Sequence, residues 1–111
     1  HLRCDYIVEG ANGPTTPGAD EILEDRGVKV LPDILANSGG VIVSYYEWVQ
    51  GLQEYYWSKE MVFNELKTRI QNKLYKLVEY AEQNRLTLRS AALMMGIQRV
   101  ADAARSRGIY P

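Results

Sequence analysis

The sequence predicts an α/β chain, with one parallel βαβ unit followed by three long helices. Two short runs of strand-forming apolar residues bracket a helix-length stretch with its own start and stop signals. Beyond them, apolar residues recur at three- and four-residue spacing almost to the end. Tyr6-Ile7-Val8 is the first strand, closed by the turn chemistry of Gly10-Ala11-Asn12-Gly13-Pro14. Thr16 then precedes Pro17, a side-chain cap before a residue whose φ suits the first helical position. The helix runs from Pro17 to about Arg26, with Ala19, Ile22 and Leu23 on its buried side and Gly27 at its left-handed end. Val28-Lys29-Val30-Leu31 is the second strand, ended by Pro32-Asp33. Strand, helix, strand at this spacing implies parallel pairing.

The first of the long helices spans Ser38 to about Tyr56 and opens on two glycines. Ser58 caps the second, where Val62, Leu66, Ile70, Leu74, Leu77 and Ala81 form an apolar stripe. Thr87 caps the third, which runs to about Arg107 with Gly108 beyond it. All three are expected to pack on one face of the βαβ unit. Two strands alone leave edges open and apolar faces bare, because parallel sheets are normally covered on both sides. Partners are therefore expected, either other chains or the rest of a larger protein; the start at His1, without a methionine, is read the same way.

Composition narrows the function. The 111 residues suit one domain with a modest core, and 46% apolar with 24% charged residues is ordinary for a soluble protein. Thirteen basic against fourteen acidic residues leave a net charge of -1, which gives no broad attraction to nucleic acid or anionic lipid. No apolar run has the length of a membrane span. The single Cys4 forms no internal disulfide and suits a reduced, cytoplasmic setting.

Candidate chemistry lies in the loops after the two strands, since open α/β sheets bind ligands at their carboxyl ends. Both carry an asparagine among small residues: Asn12 within Gly10-Ala11-Asn12-Gly13, and Asn37 within Leu35-Ala36-Asn37-Ser38-Gly39-Gly40. Asparagine offers an acceptor and two donors, which suits a carboxamide or ribose hydroxyls, and glycine lets backbone approach a ligand closely. A helix starting near Ser38 directs N–H groups and its positive dipole end at an anionic group. Ser44 lies nearly two turns beyond Asn37 and shares its side. Taken singly, Asn-Gly loops are mostly conformational, and a helical serine mostly bonds its own backbone.

Together, Val8-Glu9-Gly10-Ala11-Asn12-Gly13-Pro14-Thr15-Thr16-Pro17 and Pro32-Asp33-Ile34-Leu35-Ala36-Asn37-Ser38-Gly39-Gly40-Val41-Ile42-Val43-Ser44-Tyr45-Tyr46-Glu47-Trp48 closely resemble the carboxy-terminal part of hexameric glutamate dehydrogenases. The resemblance continues through Tyr56-Trp57-Ser58 and the last two helices. It implies a partial Rossmann-like unit: residues 1–37 as the end of a dinucleotide-binding domain, and 38–111 as a helical carboxy-terminal segment packing back on the cofactor and substrate domains. It implies that Asn12 and Asn37 hold the nicotinamide end of NAD or NADP, with Gly10 and Ala11 giving close backbone approach to the ring. It implies that Ser44 donates to the side-chain carboxylate of L-glutamate or 2-oxoglutarate, and that Val41 lines the same pocket. Relatives acting on leucine or phenylalanine tend to have an apolar residue where Ser44 stands. A hydroxyl there favours a dicarboxylic substrate, because an unpaired carboxylate in an apolar pocket is costly.

Ser38 departs from the alanine many members have. The chain also has no Gly-x-Gly-x-x-Gly turn and none of the family's catalytic lysine, catalytic aspartate or substrate-gripping lysines. No catalytic residue is therefore assigned, and the chain alone is expected to be inactive. An alternative is a non-catalytic remnant acting as an interaction or oligomerisation module, suggested by Tyr45, Tyr46, Trp48, Tyr55, Tyr56 and Trp57. A helix-turn-helix reading of Ala92-Leu93-Met94-Met95-Gly96, with Arg89, Arg99, Arg105 and Arg107 nearby, is disfavoured by the net charge. Met94 and Met95 are expected in the core. His1 is given no role.

Overall fold

A computed structural model describes residues 2–108; His1 and the last three residues of the 38–111 segment lie outside them. The elements follow as β1 (Tyr6–Val8), α1 (Pro17–Asp25), β2 (Lys29–Leu31), α2 (Asp33–Ala36), α3 (Gly39–Gln53), α4 (Lys59–Asn84) and α5 (Leu88–Arg107). β1 and β2 pair in parallel, with Tyr6 opposite Lys29, Ile7 opposite Val30 and Val8 opposite Leu31. The chain is thus α/β, dominated by helix around a two-stranded parallel sheet.

Helix starts follow local chemistry closely. Thr16, Ser58 and Thr87 each accept a hydrogen bond from the backbone N–H three residues on, at Ala19, Met61 and Ser90. Gly27, at φ 69°, takes the left-handed turn that returns the chain from α1 to β2. Glu54 and Arg85 adopt the same region at φ 53° and 54° and end α3 and α4 without a glycine.

One element was not anticipated. α2 separates β2 from Asn37, and Asn37 is its C-cap rather than part of an open loop. Ser38 is in a helical conformation and caps nothing with its side chain. Its hydroxyl instead donates to the Leu35 carbonyl at 2.7 Å, so α2 runs into α3 through a tight two-residue joint.

The core is small and lies where α4 crosses α5. Leu77, Ala81 and Ala91 are buried there, with Leu31, Leu35, Leu88 and Met95 packed around them. Ala91 has no exposed surface, so α5 seats closely on α4 at that point. α5 also packs on β2, whereas α3 packs mainly on α4 rather than on the sheet as expected. At the α3–α4 joint, buried Tyr46 stacks obliquely on Trp57 at 5.4 Å and lies under Arg69 at 5.3 Å. Gln50 closes the joint, donating to the Tyr46 carbonyl and accepting from the Trp57 N–H at 2.6 Å.

Two predicted core positions face solvent. Ile22 is 60% exposed because the side of α1 that it occupies has no covering layer, while Leu23 is buried. Met94 is similarly exposed, and only Met95 reaches the core.

Candidate functional site

Parallel strands in register release the chain at the same end of the sheet, so the segments after β1 and β2 lie side by side. Four hydrogen bonds join them or tie them to the end of β1. Asn37 Nδ2 donates to Asn12 Oδ1 at 2.5 Å. The Gly13 N–H donates to Asp33 Oδ2 at 2.7 Å, and the Asp33 N–H to Glu9 Oε2 at 3.0 Å. The Thr15 hydroxyl donates to Glu9 Oε1 at 2.6 Å. Gly13 sits at φ 56°, where a glycine is needed for the turn that brings Asn12 toward Asn37.

The two candidate asparagines therefore meet. Their mutual bond uses one acceptor of Asn12 and one donor of Asn37. Both N–H bonds of Asn12, and the carbonyl and second N–H of Asn37, have no partner among the described residues. Gly10 is exposed, and an added Cβ there would meet nothing within 4 Å. Nothing among the described residues accounts for a glycine at that position. Ala11 lies beside it, also exposed.

Val41 and Ser44 lie one helical turn apart on α3, both exposed, with Val41 71% accessible. Among the described residues, no other element buries either side chain. α3 begins without a side-chain cap, which leaves the N–H groups of its first turn, beside Asn37, without a side-chain acceptor. One concavity lies elsewhere. It is a cleft of about 820 Å³ along β1 and β2, bounded by α1, α4 and α5, and none of the six candidate residues lines it. Its exposed, apolar strand edge suits further packing better than a polar ligand.

A group that the sequence reading overlooked holds the two loops from behind. Glu9 is almost wholly buried, and its carboxylate receives a bidentate pair from Arg89, NH1 to Oε2 at 3.0 Å and NH2 to Oε1 at 2.6 Å. With Thr15 and Asp33, each carboxylate oxygen accepts two hydrogen bonds. Arg89 also contacts Asp20 in the first turn of α1, NH2 to Oδ1 at 3.0 Å and Nε to Oδ2 at 2.7 Å, and lies 3.9 Å from Asp33. Its hydrogen bonds hold the Glu9 carboxyl down at about 2, against the opposing effect of burial, with Thr15 and Asp33 adding to the lowering. Arg89 is correspondingly pushed up, chiefly by Glu9. The sequence showed Arg89 only as one of four basic neighbours on a helix. Its partner Glu9 lies eighty residues away, and no local pattern signals that pairing.

Among the described residues, no cluster of His, Cys, Asp or Glu is arranged to hold a metal ion. No helix there is long and apolar enough to cross a membrane.

The strand-end asparagines, braced by the Glu9–Arg89 ion pair, define an α/β module with polar groups clustered at the carboxyl ends of parallel strands. Comparison with known proteins gives this class a family. The sequence model of the Glutamate/Leucine/Phenylalanine/Valine dehydrogenases matches residues 1–108, and the chain belongs to that family. It is 49% identical over 110 residues to a glutamate dehydrogenase of Thermotoga maritima, covering 99% of the chain and 26% of the relative. It is 46% identical over 107 residues to an NAD-specific glutamate dehydrogenase of Staphylococcus aureus, covering 96% and 26% respectively. The fold superposes with a TM-score of 0.93 and 37% identity on the hetero-hexameric glutamate dehydrogenase of Thermus thermophilus in its leucine-bound form, covering 99% of the chain and 26% of that structure. The chain thus spans about a quarter of the length of the proteins it matches.

Proposed function

We propose that the chain is the carboxy-terminal part of an NAD(P)-dependent glutamate dehydrogenase, contributing contacts to the nicotinamide end of the cofactor and to the substrate side chain. The observation that carries this reading is the Asn12–Asn37 hydrogen bond, which joins the two strand-end loops and leaves three amide N–H bonds and one carbonyl for a ligand. That donor and acceptor set suits a carboxamide and ribose hydroxyls. The open backbone at Gly10 and Ala11 suits a flat ring lying close. On this reading residues 1–37 close a Rossmann-like dinucleotide domain, and residues 38–111 pack back on the cofactor and substrate domains.

The reaction is the reversible oxidative deamination of L-glutamate to 2-oxoglutarate and ammonia. When bound, NAD or NADP supplies the two-electron oxidant. The chain's own work is binding and orientation: Asn12 and Asn37 fix the ring's carboxamide and ribose, while Val41 and Ser44 hold the far end of the amino acid. The Ser44 hydroxyl donates to the side-chain carboxylate, and Val41 covers its methylenes. Acid–base groups come from the remainder of the enzyme, so the chain alone is inactive. Its setting is cytoplasmic, in keeping with one free, half-buried Cys4.

Activity is best measured with the chain in place of the matching segment of the Thermotoga maritima enzyme. Asn12→Ala there is expected to raise the cofactor KM roughly tenfold, from lost hydrogen bonds of about 1–2 kcal/mol. Ser44→Val is expected to raise the glutamate KM by about 5- to 100-fold and to change that of an apolar amino acid far less. Equal effects of Ser44→Val on both amino acids exclude its proposed role.

The second reading, a non-catalytic interaction module, draws on the exposed Tyr45, Trp48, Tyr55 and Tyr56. Stable self-association of the chain with no effect of Asn12→Ala on any ligand favours it.

A further inference from the structure

We infer that Arg89, at the start of α5, is a positioning residue for the cofactor site, and that it sets the spacing of the Asn12 and Asn37 loops through Glu9. This rests on the function proposed for those asparagines. The path is continuous. Arg89 grips both oxygens of Glu9, and each of those oxygens also accepts from one of the two loops, Oε1 from the Thr15 hydroxyl and Oε2 from the Asp33 N–H. Thr15 stands three residues after Asn12. Asp33 accepts, at its backbone carbonyl, the N–H of Asn37 at 3.0 Å, and its side chain accepts the Gly13 N–H. One buried carboxylate thus sets where both asparagine loops begin their approach to each other.

Glu9 holds that position only while its charge is matched. A buried carboxylate with no cation beside it either takes up a proton or moves toward water, and both changes break bonds to the loops. Among the described residues no other cation pairs with Glu9, and the carboxylates of Asp20 and Asp33 meet the same guanidinium. Arginine is needed because one planar fork must serve both oxygens of Glu9 while its remaining edge meets Asp20. A lysine supplies the charge but not the paired geometry.

The chimaeric enzyme carrying this chain within the Thermotoga maritima sequence tests the inference. Arg89→Met is expected to raise the cofactor KM roughly tenfold, with Arg89→Lys recovering only part of the loss. Combining Arg89→Met with Asn12→Ala is expected to give a cofactor KM well below the product of the two single effects, because the first change has already displaced the group removed by the second. A purely structural role lowers the melting temperature and leaves the KM values and their coupling unmoved. Thr15→Val cuts one link while sparing the ion pair and covers the case in which Arg89→Met does not fold; its expected effect is about threefold on the same KM. Full multiplicativity of Arg89→Met and Asn12→Ala, or unchanged cofactor KM in both Arg89→Lys and Thr15→Val, overturns the inference while leaving the site intact. An Asn12→Ala enzyme with parental cofactor KM, or a parent chimaera that oxidises no glutamate, overturns instead the function on which it rests.

Discussion

Glu9 shows how one residue sets a local pH dependence. Its carboxyl lies at about 2 in the fold, against 4.5 for the free side chain, chiefly because of the Arg89 hydrogen bonds. A depressed folded pKa contributes stability in full above the unfolded value, and that stability is lost as pH falls through the folded one. The window therefore runs from about pH 4.5 down to about 2. Glu9→Gln is expected to lower the melting temperature at neutral pH and to flatten this acid limb, as read by thermal unfolding at stepped pH. An acid limb identical to that of the parent contradicts the pairing. At the same scale, the sequence shows Asn12 and Asn37 as amides among small residues at two strand ends, a pattern that taken singly is mostly conformational. Their direct bond was not legible there, because it depends on the turn at Gly13 and on the length of α2.

Elements were largely legible where a side chain closes its own helix. Thr16, Ser58 and Thr87 are caps whose hydroxyl and N–H partner lie within one turn, so tertiary context hardly affects them. Ser58→Ala and Thr87→Ala are each expected to cost about 1 kcal/mol. Ser38→Ala is expected to cost clearly less, because its hydroxyl bonds the Leu35 carbonyl and caps nothing. Urea unfolding of the three variants orders them, and an equal loss at Ser38 contradicts this account. Ser38 also marks where the sequence misleads. A new helix is expected to begin near Ser38, yet here the chain is already helical in α2, formed by only four residues that are too few for a periodic signal. The packing of α3 mainly on α4 also depends on residues beyond its own span. Its Tyr46 and Gln50 are committed to Trp57 and the start of α4.

At the scale of the whole molecule, the chain exposes too much. Its accessible surface is 8925 Å², whereas a compact monomer of this mass has roughly 6200 Å². Its radius of gyration is 17.0 Å, against about 13 Å for a compact domain of this length. Tyr6 and Val8 on β1, and Val41, Trp48 and Leu52 on α3, stand exposed. Apolar surface of this extent is normally covered. The prediction is that the 111-residue chain alone self-associates or binds a hydrophobic dye, as seen by sedimentation and by fluorescence. A stable, dye-silent monomer contradicts it. Incorporation into the full-length chimaera is expected to abolish the dye signal.

Sequence alone determined what is local or periodic: the order of strands and long helices, their caps, the asparagine-bearing strand ends and the membership they signal. It also signalled incompleteness, since two parallel strands cannot cover their own faces. Tertiary structure decided what depends on residues far apart in the chain. It placed Arg89 on Glu9, joined Asn12 to Asn37, inserted α2 and set α3 against α4. The physical reason is that caps and amphipathic stripes are satisfied within one or two turns, so their cause lies in neighbouring residues. A buried ion pair is satisfied only when separate elements pack together, and its charge matters only once the fold has removed the water around it.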